Sequence, residues 1–405
     1  MKSKEILLKI YLIIFRINYI ISSLLGLAPC SIKIVNRSAQ RIDLTLIFSY
    51  SRVGCAYNIV LIMLCVVIIV IGVPLLEEMQ YPNDSKTLKT ITITLSTMGN
   101  IGAIVIISTH AILQRRIIKI GNQLHEFDRK YGDKLIGRRA NAFRDFRRMM
   151  PIIFLFFIWT GLLVTTGIAE EEVYILNSSV WASCFSWFLT QYSLVILVLR
   201  GRFEGINNAL LATAKYPIGF EENSLFRGSV TNDRLIIKNL SIMKQARKEI
   251  HKITREVSRF YSFPVLIIIS YCCCCSVNSM YYCVLTLIDP EVDVFTNIII
   301  IDSIFWTLIT LYPIVMLSTS VDAFHEEVCK TADIVYDIME TYAPNKDIES
   351  ELNNFAIELL HRRVVFNACG MFSLDCTLLH SIFGMIVTYL LILLQFKPAG
   401  SDSKN

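Results

Sequence analysis

Residues 388–396 read TYLLILLQF and close the last apolar run of the chain. On a helix, Thr388 and Gln395 lie two turns apart on one face, and Ile392 lies between them. Polar side chains at membrane depth are costly, so they usually face the interior of a helix bundle or a water-filled path. The segment therefore predicts a membrane helix that turns one face towards an aqueous pathway.

The composition excludes a soluble domain built on one core. Of the 405 residues, 54% are hydrophobic and 18% are charged, and the mean hydropathy is +0.53. Several uncharged stretches reach the roughly 20 residues that a helix needs to cross the hydrocarbon of a bilayer. The prediction is an all-α polytopic membrane protein, and the net charge of +5 gives no indication of a nucleic-acid partner.

The distribution of basic residues predicts how the chain crosses the membrane. Seven stretches are predicted to span it: residues 53–76, 89–112, 151–170, 173–199, 262–287, 295–319 and 376–396. With these spans, 35 of the 39 Lys and Arg residues lie on one side. The positive-inside rule assigns that side, with the N-terminus, to the cytoplasm and makes the C-terminus extracellular. The sequons at Asn83 and Asn177 then fall outside, where they are candidate glycosylation sites.

The chain divides into five predicted parts. Lys2, Lys9, Arg16 and Ser23 form one polar stripe on an apolar segment, which favours an interfacial amphipathic helix over a cleavable signal peptide. Apolar residues at helical spacing in 233–260, 321–342 and 347–366 predict cytoplasmic helices. Residues 348–396 contain no proline, so an extended cytoplasmic helix, with Gly370 as its one candidate break, is predicted to lead into the last span. The parts are a cytoplasmic N-terminal segment (1–52), transmembrane helices 1–6 with the ligand-pocket region and cytoplasmic loops (53–319), cytoplasmic anchor helices (320–375), the last transmembrane helix (376–396) and an extracellular tail (397–405).

A small-molecule pocket is predicted in the outer half of the helix bundle. Aromatic walls with a few polar groups are typical of such pockets, and five predicted spans supply them there. The candidate residues are Thr90, Thr94, Thr97, Thr165, Tyr174, Trp181, Phe185, Phe188, Asn278, Tyr281, Tyr282, Asp302 and Trp306. Taken singly, each also fits an interfacial or helix-packing role, so the alternative stays open for every residue.

No metal site, cofactor or enzymatic activity is predicted. The run Cys272–Cys275 cannot enclose an ion, because consecutive helical residues diverge by about 100° each. The sequence contains no H-E-x-x-H, no phosphate-binding loop and no G-x-S-x-G motif. The pattern is that of a membrane receptor, channel or carrier rather than an enzyme.

Two short motifs resemble the insect gustatory receptors. Residues 368–375, ACGMFSLD, are similar to the family's segment before its last span, and Thr388-Tyr389 with Gln395-Phe396 matches its C-terminal signature. The resemblance also covers the seven spans, the intracellular N-terminus, the long basic loops and the short external tail. Members of this family are thought to be ligand-gated, nonselective cation channels. They are thought to assemble as tetramers around a pore lined by the last helix, above a cytoplasmic anchor bundle.

Carried over to this chain, the resemblance implies a pore formed by one stripe of the last helix. The stripe comprises Ser381, Met385, Thr388, Ile392 and Gln395. Ile392 is then an apolar constriction that closes by dewetting. Tyr389 points about 100° away from Thr388, and we expect it to pack against a neighbouring helix.

The resemblance also implies a ligand and partners. The ligand is a small-molecule tastant, and the partners are membrane lipids, permeant cations and other gustatory receptors in a homo- or heterotetramer, in the plasma membrane of sensory neurons. Sugar-sensing members tend to carry an acidic residue after the Thr-Tyr pair, whereas this chain has Leu390, which favours bitter or other tastants. A metabotropic seven-helix receptor and a transporter are the alternatives. The charge distribution argues against the first, and the lack of buried ionisable groups argues against the second.

Overall fold

The computed structural model describes residues 16–36, 44–78, 86–135, 161, 173–215, 228–288, 294–341, 346–361 and 364–395. The predicted third span, 151–170, lies outside these residues apart from the helical Gly161. Residues 1–15, most of the predicted interfacial helix, and the tail from residue 396 onwards also lie outside them.

The described chain consists mainly of helices. They are α1 (Arg52–Glu78), α2 (Lys86–Ile112), α3 (Gln114–Leu135), α4 (Val173–Lys215), α5 (Gly228–Ile288), α6 (Val294–Thr341), α7 (Lys346–His361) and α8 (Thr377–Gln395), with a further helical stretch over residues 16–24. Two antiparallel hairpins complete it. β1 (Ser31–Asn36) pairs with β2 (Leu44–Ser49), and β3 (Asn367–Ala368) pairs with β4 (Phe372–Ser373).

Five of the described helices, α1, α2, α4, α5 and α6, contain segments long and apolar enough to cross a membrane. α8 contributes a shorter apolar stretch, Thr377–Leu393. α1 leaves many of its apolar side chains without cover from the described residues; Val53, for example, is 79% exposed and Val70 is 67% exposed. Such a surface suits lipid tails, which are as apolar as leucine.

Three helices run well past the predicted ends of their spans. α4 has 43 residues, α5 has 61 and α6 has 48, so α5 is about 90 Å long at 1.5 Å per residue. The cytoplasmic helices predicted at 233–260 and 321–342 are continuous with the membrane helices that follow or precede them. Residues 229–263 and 314–343 contain no proline or glycine, and Pro264 in α5 and Pro313 in α6 lie inside the helices without ending them. The predicted division at residue 320 therefore falls inside α6.

The extended helix predicted to lead into the last span is interrupted, and its first part is shorter than the apolar spacing predicts. The pattern predicted helix across 347–366, but α7 ends at His361, and the chain then enters the β3–β4 hairpin. β-branched and aromatic residues at 364–366 favour extended backbone. The break expected near Gly370 is the hairpin turn, where Cys369 and Gly370 have φ of 51° and 74°, a conformation that glycine adopts without strain.

α4 lies at the centre of the bundle, against α2, α5 and α6. The largest fully buried side chains are concentrated on it and include Trp187, Phe188, Tyr192 and Phe203. Phe203 meets Phe324 of α6 edge-on, with ring centroids 5.3 Å apart. Buried rings of this size stabilise helix contacts both by area and by edge-to-face geometry, so α4 supplies much of the core that it shares with α2, α5 and α6.

The β1–β2 hairpin is a feature that the sequence analysis did not predict. It packs on α3, where the side-chain amide of Asn122 accepts a hydrogen bond from Phe48 N–H at 3.0 Å and donates one to Phe48 O at 3.1 Å. The ring of Phe48 lies so close to Gly121 that an added Cβ would meet it at 2.8 Å. The N-terminal segment is thus held to α3 by specific contacts.

Candidate functional site

The α7–α8 linker, residues 364–376, contains the segment 368–375 that the sequence analysis singled out. Two serines one turn apart on α5 hold it. Ser258 Oγ donates to Val365 O at 3.1 Å, and Ser262 Oγ donates to Asn367 O at 3.0 Å while accepting from Cys369 N–H at 2.6 Å. The linker is therefore fixed to the helix that carries the predicted fifth span.

α6 holds the same linker at both ends. The ring nitrogen His325 Nε2 lies 3.1 Å from Val364 O, and Asp322 Oδ2 accepts from the backbone N–H of Cys376 at 3.1 Å. Asp375 Oδ1 then accepts from Thr377 N–H at 3.0 Å and from the Thr377 hydroxyl, which caps the start of α8. These hydrogen bonds from Thr377 hold the pKa of Asp375 below its ordinary value.

Phe366 joins the linker to the aromatic core. Its side chain is fully buried, and its ring centroid lies 5.1 Å from that of Phe324 and 6.2 Å from that of Tyr192, both edge-on. Tyr192 in turn stacks on Tyr261 of α5, with centroids 4.2 Å apart and planes 8° from parallel. Because these rings contact one another, a displacement of Tyr192 or Tyr261 would also displace Phe366 and the linker that leads into α8.

α8 packs on the bundle only through its inner half. Leu378, Ile382 and Ile386, spaced four residues apart, are buried on the side facing α5 and α6. From Val387 onwards, none of the described α8 side chains is buried. The outer half of the last helix is therefore not covered by the residues that the structure describes.

The predicted pore stripe lies beside the buried face of α8. Ser381, Thr388 and Gln395 are exposed, Met385 is partly exposed and Ile392 is 38% exposed. The hydroxyl of Thr388 donates to Gly384 O at 2.8 Å, and that of Ser381 to Thr377 O at 3.3 Å. With their protons bonded to the helix backbone, both hydroxyl oxygens turn lone pairs outwards.

Tyr389 and Phe396 are the other two residues of the C-terminal signature. Tyr389 leaves 53% of its surface exposed, so the described part of this chain does not supply the helix against which it was expected to pack. Tyr389 continues the row of Leu378, Ile382 and Ile386, which suggests a missing neighbour on that side. Phe396 lies outside the described residues.

The aromatic row of α4 lies inside the helix bundle. Trp181, Phe185 and Phe188 are buried in one cluster, where the ring centroid of Phe185 lies 5.0 Å from that of Tyr271. Tyr281 is also buried, and Trp306 packs against the cluster. The buried atoms Trp181 Nε1 and Asn278 Oδ1 find no hydrogen-bond partner among the described residues, so both could pair with a ligand or water.

The row of threonine residues on α2 does not lie in this buried cluster. Thr90 and Thr94 are exposed and Thr97 is half-buried. The hydroxyl of Thr94 donates to Thr90 O at 2.7 Å and that of Thr97 to Ile93 O at 2.8 Å. Thr165 and Asn83 lie outside the described residues, as do the side chains of Tyr174, Asn177, Tyr282 and Asp302; the backbone of Asn177 lies near the start of α4.

Several residues that connect the α7–α8 linker to α5 and α6 belong to no pattern that can be recognised in the sequence. Ser258 and Ser262 stand at an ordinary helical spacing, and Asp322, His325 and Phe366 belong to no motif. Their importance comes from contacts between residues about 40 to 110 positions apart. Only the position of Phe366 just before segment 368–375 offered a hint.

The described residues contain no group of three or more His, Cys, Asp or Glu able to hold a metal ion. In the run of four cysteines, Cys272 and Cys273 are buried while Cys274 is exposed. Their side chains thus point in different directions around α5, as the helical spacing predicts.

Comparison with known proteins matches nearly the whole chain to one family. The family model described as "7tm Chemosensory receptor" matches residues 15–400. Gustatory receptor 68a of Drosophila melanogaster is 32% identical over 102 residues, which cover 25% of each chain. The gustatory receptor for bitter taste 66a of the same species is 24% identical over 197 residues, covering 47% of this chain and 36% of that protein. The matched stretches span between 14% and 37% of the curated relatives' lengths.

Two solved structures share the fold. The insect olfactory receptor OR5 from Machilis hrabei superposes with a TM-score of 0.63 at 14% identity, covering 95% of this chain and 99% of OR5. Its complex with eugenol also gives a TM-score of 0.63, at 13% identity, with 97% and 99% covered. The predicted all-α polytopic membrane fold is confirmed by this likeness and by the family match.

Proposed function

Because the chain belongs to the 7tm chemosensory receptor family, among the insect gustatory receptors, we propose that it is a gustatory chemoreceptor with its own cation pore. This is a family of membrane receptors rather than of enzymes, and the chain is a multi-pass membrane protein. In the proposal, a small tastant binds in the outer half of the helix bundle and opens a nonselective pore lined by α8.

The observation that carries the proposal is the uncovered outer half of α8. Exposing the polar side chains of Thr388 and Gln395 to lipid at this end of α8 costs free energy. Assembly of four copies with these residues towards the axis removes that cost and forms rings around a pore. Ile392 then supplies a ring of apolar side chains that closes the pore by dewetting, with Gln395 on its outer side.

The proposed ligand site is the aromatic wall formed by Trp181, Phe185 and Phe188. These rings with the unpaired Trp181 Nε1 and Asn278 Oδ1 have the composition of a small-molecule pocket. The structure of OR5 with eugenol supports a small organic ligand for this fold. The similarity to a receptor for bitter taste, with Leu390 in place of an acid, favours a bitter or other non-sugar tastant.

Transmission from pocket to pore is proposed to run through packed rings. Phe188 lies 5.3 Å from Tyr261, which stacks on Tyr192, which meets Phe366 in the α7–α8 linker. The ring contacts are continuous from Phe188 to Phe366 in the linker that leads into α8. Spatial continuity supports coupling, and substitutions along the row test it.

The remaining features of the proposal concern topology and assembly. The N-terminus is cytoplasmic, the chain crosses the membrane seven times, and the C-terminus is extracellular, as the distribution of Lys and Arg supports. The functional unit is a homo- or heterotetramer in the plasma membrane of sensory neurons, and Asn83 and Asn177 are its candidate glycosylation sites.

Current recording decides between this function and its main rival. In excised patches without nucleotides or G proteins, we expect a panel of bitter and other small tastants to evoke a cation current. A receptor at the cell surface that gives tastant-evoked second messengers but no current in such patches would favour a metabotropic receptor instead. Epitope tags at both ends, probed in intact cells, provide the control, since a surface-accessible N-terminus contradicts the proposed topology.

A further inference from the structure

A basic cavity lies between α5 and the α7–α8 linker, away from the pore stripe and the aromatic row. Its volume is about 660 Å³, within the roughly 300–1,000 Å³ typical of small-molecule sites. Four cationic side chains line it, Lys248, Lys252, Arg255 and Arg259, and all four are exposed. None of the described lining residues is a carboxylate.

The cations form one face of α5. They follow one another at four-, three- and four-residue steps, so they share a stripe about 16 Å long. Among the described residues, no ion pair is formed by Lys248, Lys252 or Arg255, and Arg259 makes only an exposed contact with Glu256 at 3.8 Å. Such a concentration of like charge is unfavourable unless an anion balances it.

The opposite wall of the cavity is the linker itself. Val364, Val365 and Asn367 line it together with Ser258 and Ser262, the two serines that hold the linker by hydrogen bonds. Ser262 is also the first residue of the predicted fifth span. The cavity thus lies at the expected cytoplasmic surface of the membrane, next to the segment that starts α8.

We propose that this cavity binds a polyphosphorylated ligand of the inositol phosphate type. Several phosphate groups match a row of Lys and Arg donors better than a single carboxylate does. Basic pockets beside membrane helices on the cytoplasmic side suit the headgroups of anionic lipids. A bound polyanion contacts α5 and the linker together, and it therefore stabilises their present arrangement. This consequence for pore opening rests on the proposed function, whereas binding itself does not.

Binding is tested on the purified full-length receptor without any current recording. The probes are nanodiscs with or without phosphatidylinositol bisphosphate, and soluble inositol trisphosphate. We expect the triple substitution Lys248→Gln, Lys252→Gln and Arg255→Gln to weaken binding about tenfold or more. The matched control, Lys119→Gln, Arg234→Gln and Lys238→Gln, removes three exposed charges outside the cavity and should leave binding within about twofold.

The two probes distinguish the source of the phosphates. Binding to the lipid alone assigns the site to a membrane headgroup, and equal binding of inositol trisphosphate assigns it to a soluble polyphosphate; both support the proposal. The proposal fails if neither probe binds, or if the control triple variant weakens binding as much as the cavity variant. It also fails if the cavity variant dissociates the oligomer without affecting probe binding, because an acidic segment of another subunit then occupies the cavity.

Discussion

Asp322 on α6 accepts a hydrogen bond at 3.1 Å from the backbone N–H of Cys376, the residue that precedes α8. One turn further along α6, His325 contacts the carbonyl of Val364 at the other end of the linker. One helix therefore holds both ends of the segment between α7 and the apolar α8. Any movement of α6 relative to α5 has to stretch this segment or carry α8 with it.

We expect Asp322→Ala to lower the free energy of unfolding by about 1–2 kcal/mol, because the Cys376 N–H loses a charged acceptor. In the proposed channel it should also raise the current without tastant. Asp322→Asn keeps an oxygen acceptor and should lie close to the native protein on both counts. Thermal unfolding of the purified receptor and basal current measure the effects. Equal behaviour of the Ala and Asn variants would argue that the hydrogen bond is unimportant.

Phe366→Ala should be the most destabilising single change in the linker. The ring is fully buried between α4 and α6, and removal of such a ring costs about 3–5 kcal/mol. Met371→Ala, at a position that is 73% exposed on the hairpin turn, should cost less than about 0.5 kcal/mol. The yield of folded oligomer and its unfolding temperature give the comparison. A small loss for Phe366→Ala would mean that the ring does not anchor the linker.

A buried ion pair between α3 and α4 should matter more than its exposed neighbours. Arg202, only 9% exposed, donates to both carboxylate oxygens of Asp128 at 2.9 and 2.8 Å. We expect Arg202→Met to cost about 1–3 kcal/mol, since the partly buried carboxylate loses its partner. The control is Arg129→Met, whose contact with Glu126 is exposed at 3.8 Å and should contribute less than about 0.5 kcal/mol. Denaturation of both variants is the measurement, and similar losses contradict the expectation.

The cap of α8 should respond to acid. The folded-state pKa of Asp375 is lowered, first by the hydrogen bond from Thr377. Its contribution is therefore fully present above the ordinary Asp pKa of about 3.9 and is lost as the pH falls through the lowered value. Asp375→Asn still caps the helix but does not titrate. Unfolding temperatures of the two proteins should run parallel near neutral pH and converge in acid; a constant difference at all pH values would refute the assignment.

The proposed gate is tested by making one residue polar. Ile392→Ser should raise the current without tastant, because a polar ring admits water into a constriction that an apolar ring keeps dry. Leu391→Ser makes the same change on an exposed position about 100° away and should leave basal current unchanged at equal surface expression. If the Leu391 variant is the leaky one, the pore face is wrongly assigned.

Patterns along the chain were sufficient to predict the class of the protein and much of its helical content. Long uncharged runs, helical spacing on either side of them and the TYLLILLQF segment are local features. Each residue contributes to the hydropathy of its segment whatever its tertiary contacts are. These features led to an all-α polytopic fold, to the family and to the apolar stretch of α8. They also predicted an extended helix leading into α8, which is wrong, because α7 ends at His361 and the β3–β4 hairpin precedes α8.

Tertiary structure alone decided which residues connect the parts. No local rule indicates that Ser258 and Ser262 hold a linker about 107 positions away, or that the β1–β2 hairpin docks on Asn122. It also separated the pocket candidates, since the aromatic row of α4 became buried while Thr90 and Thr94 stayed exposed. The reason is physical: periodicity reports that a helix has a face, but the partner of that face is set by how whole helices pack.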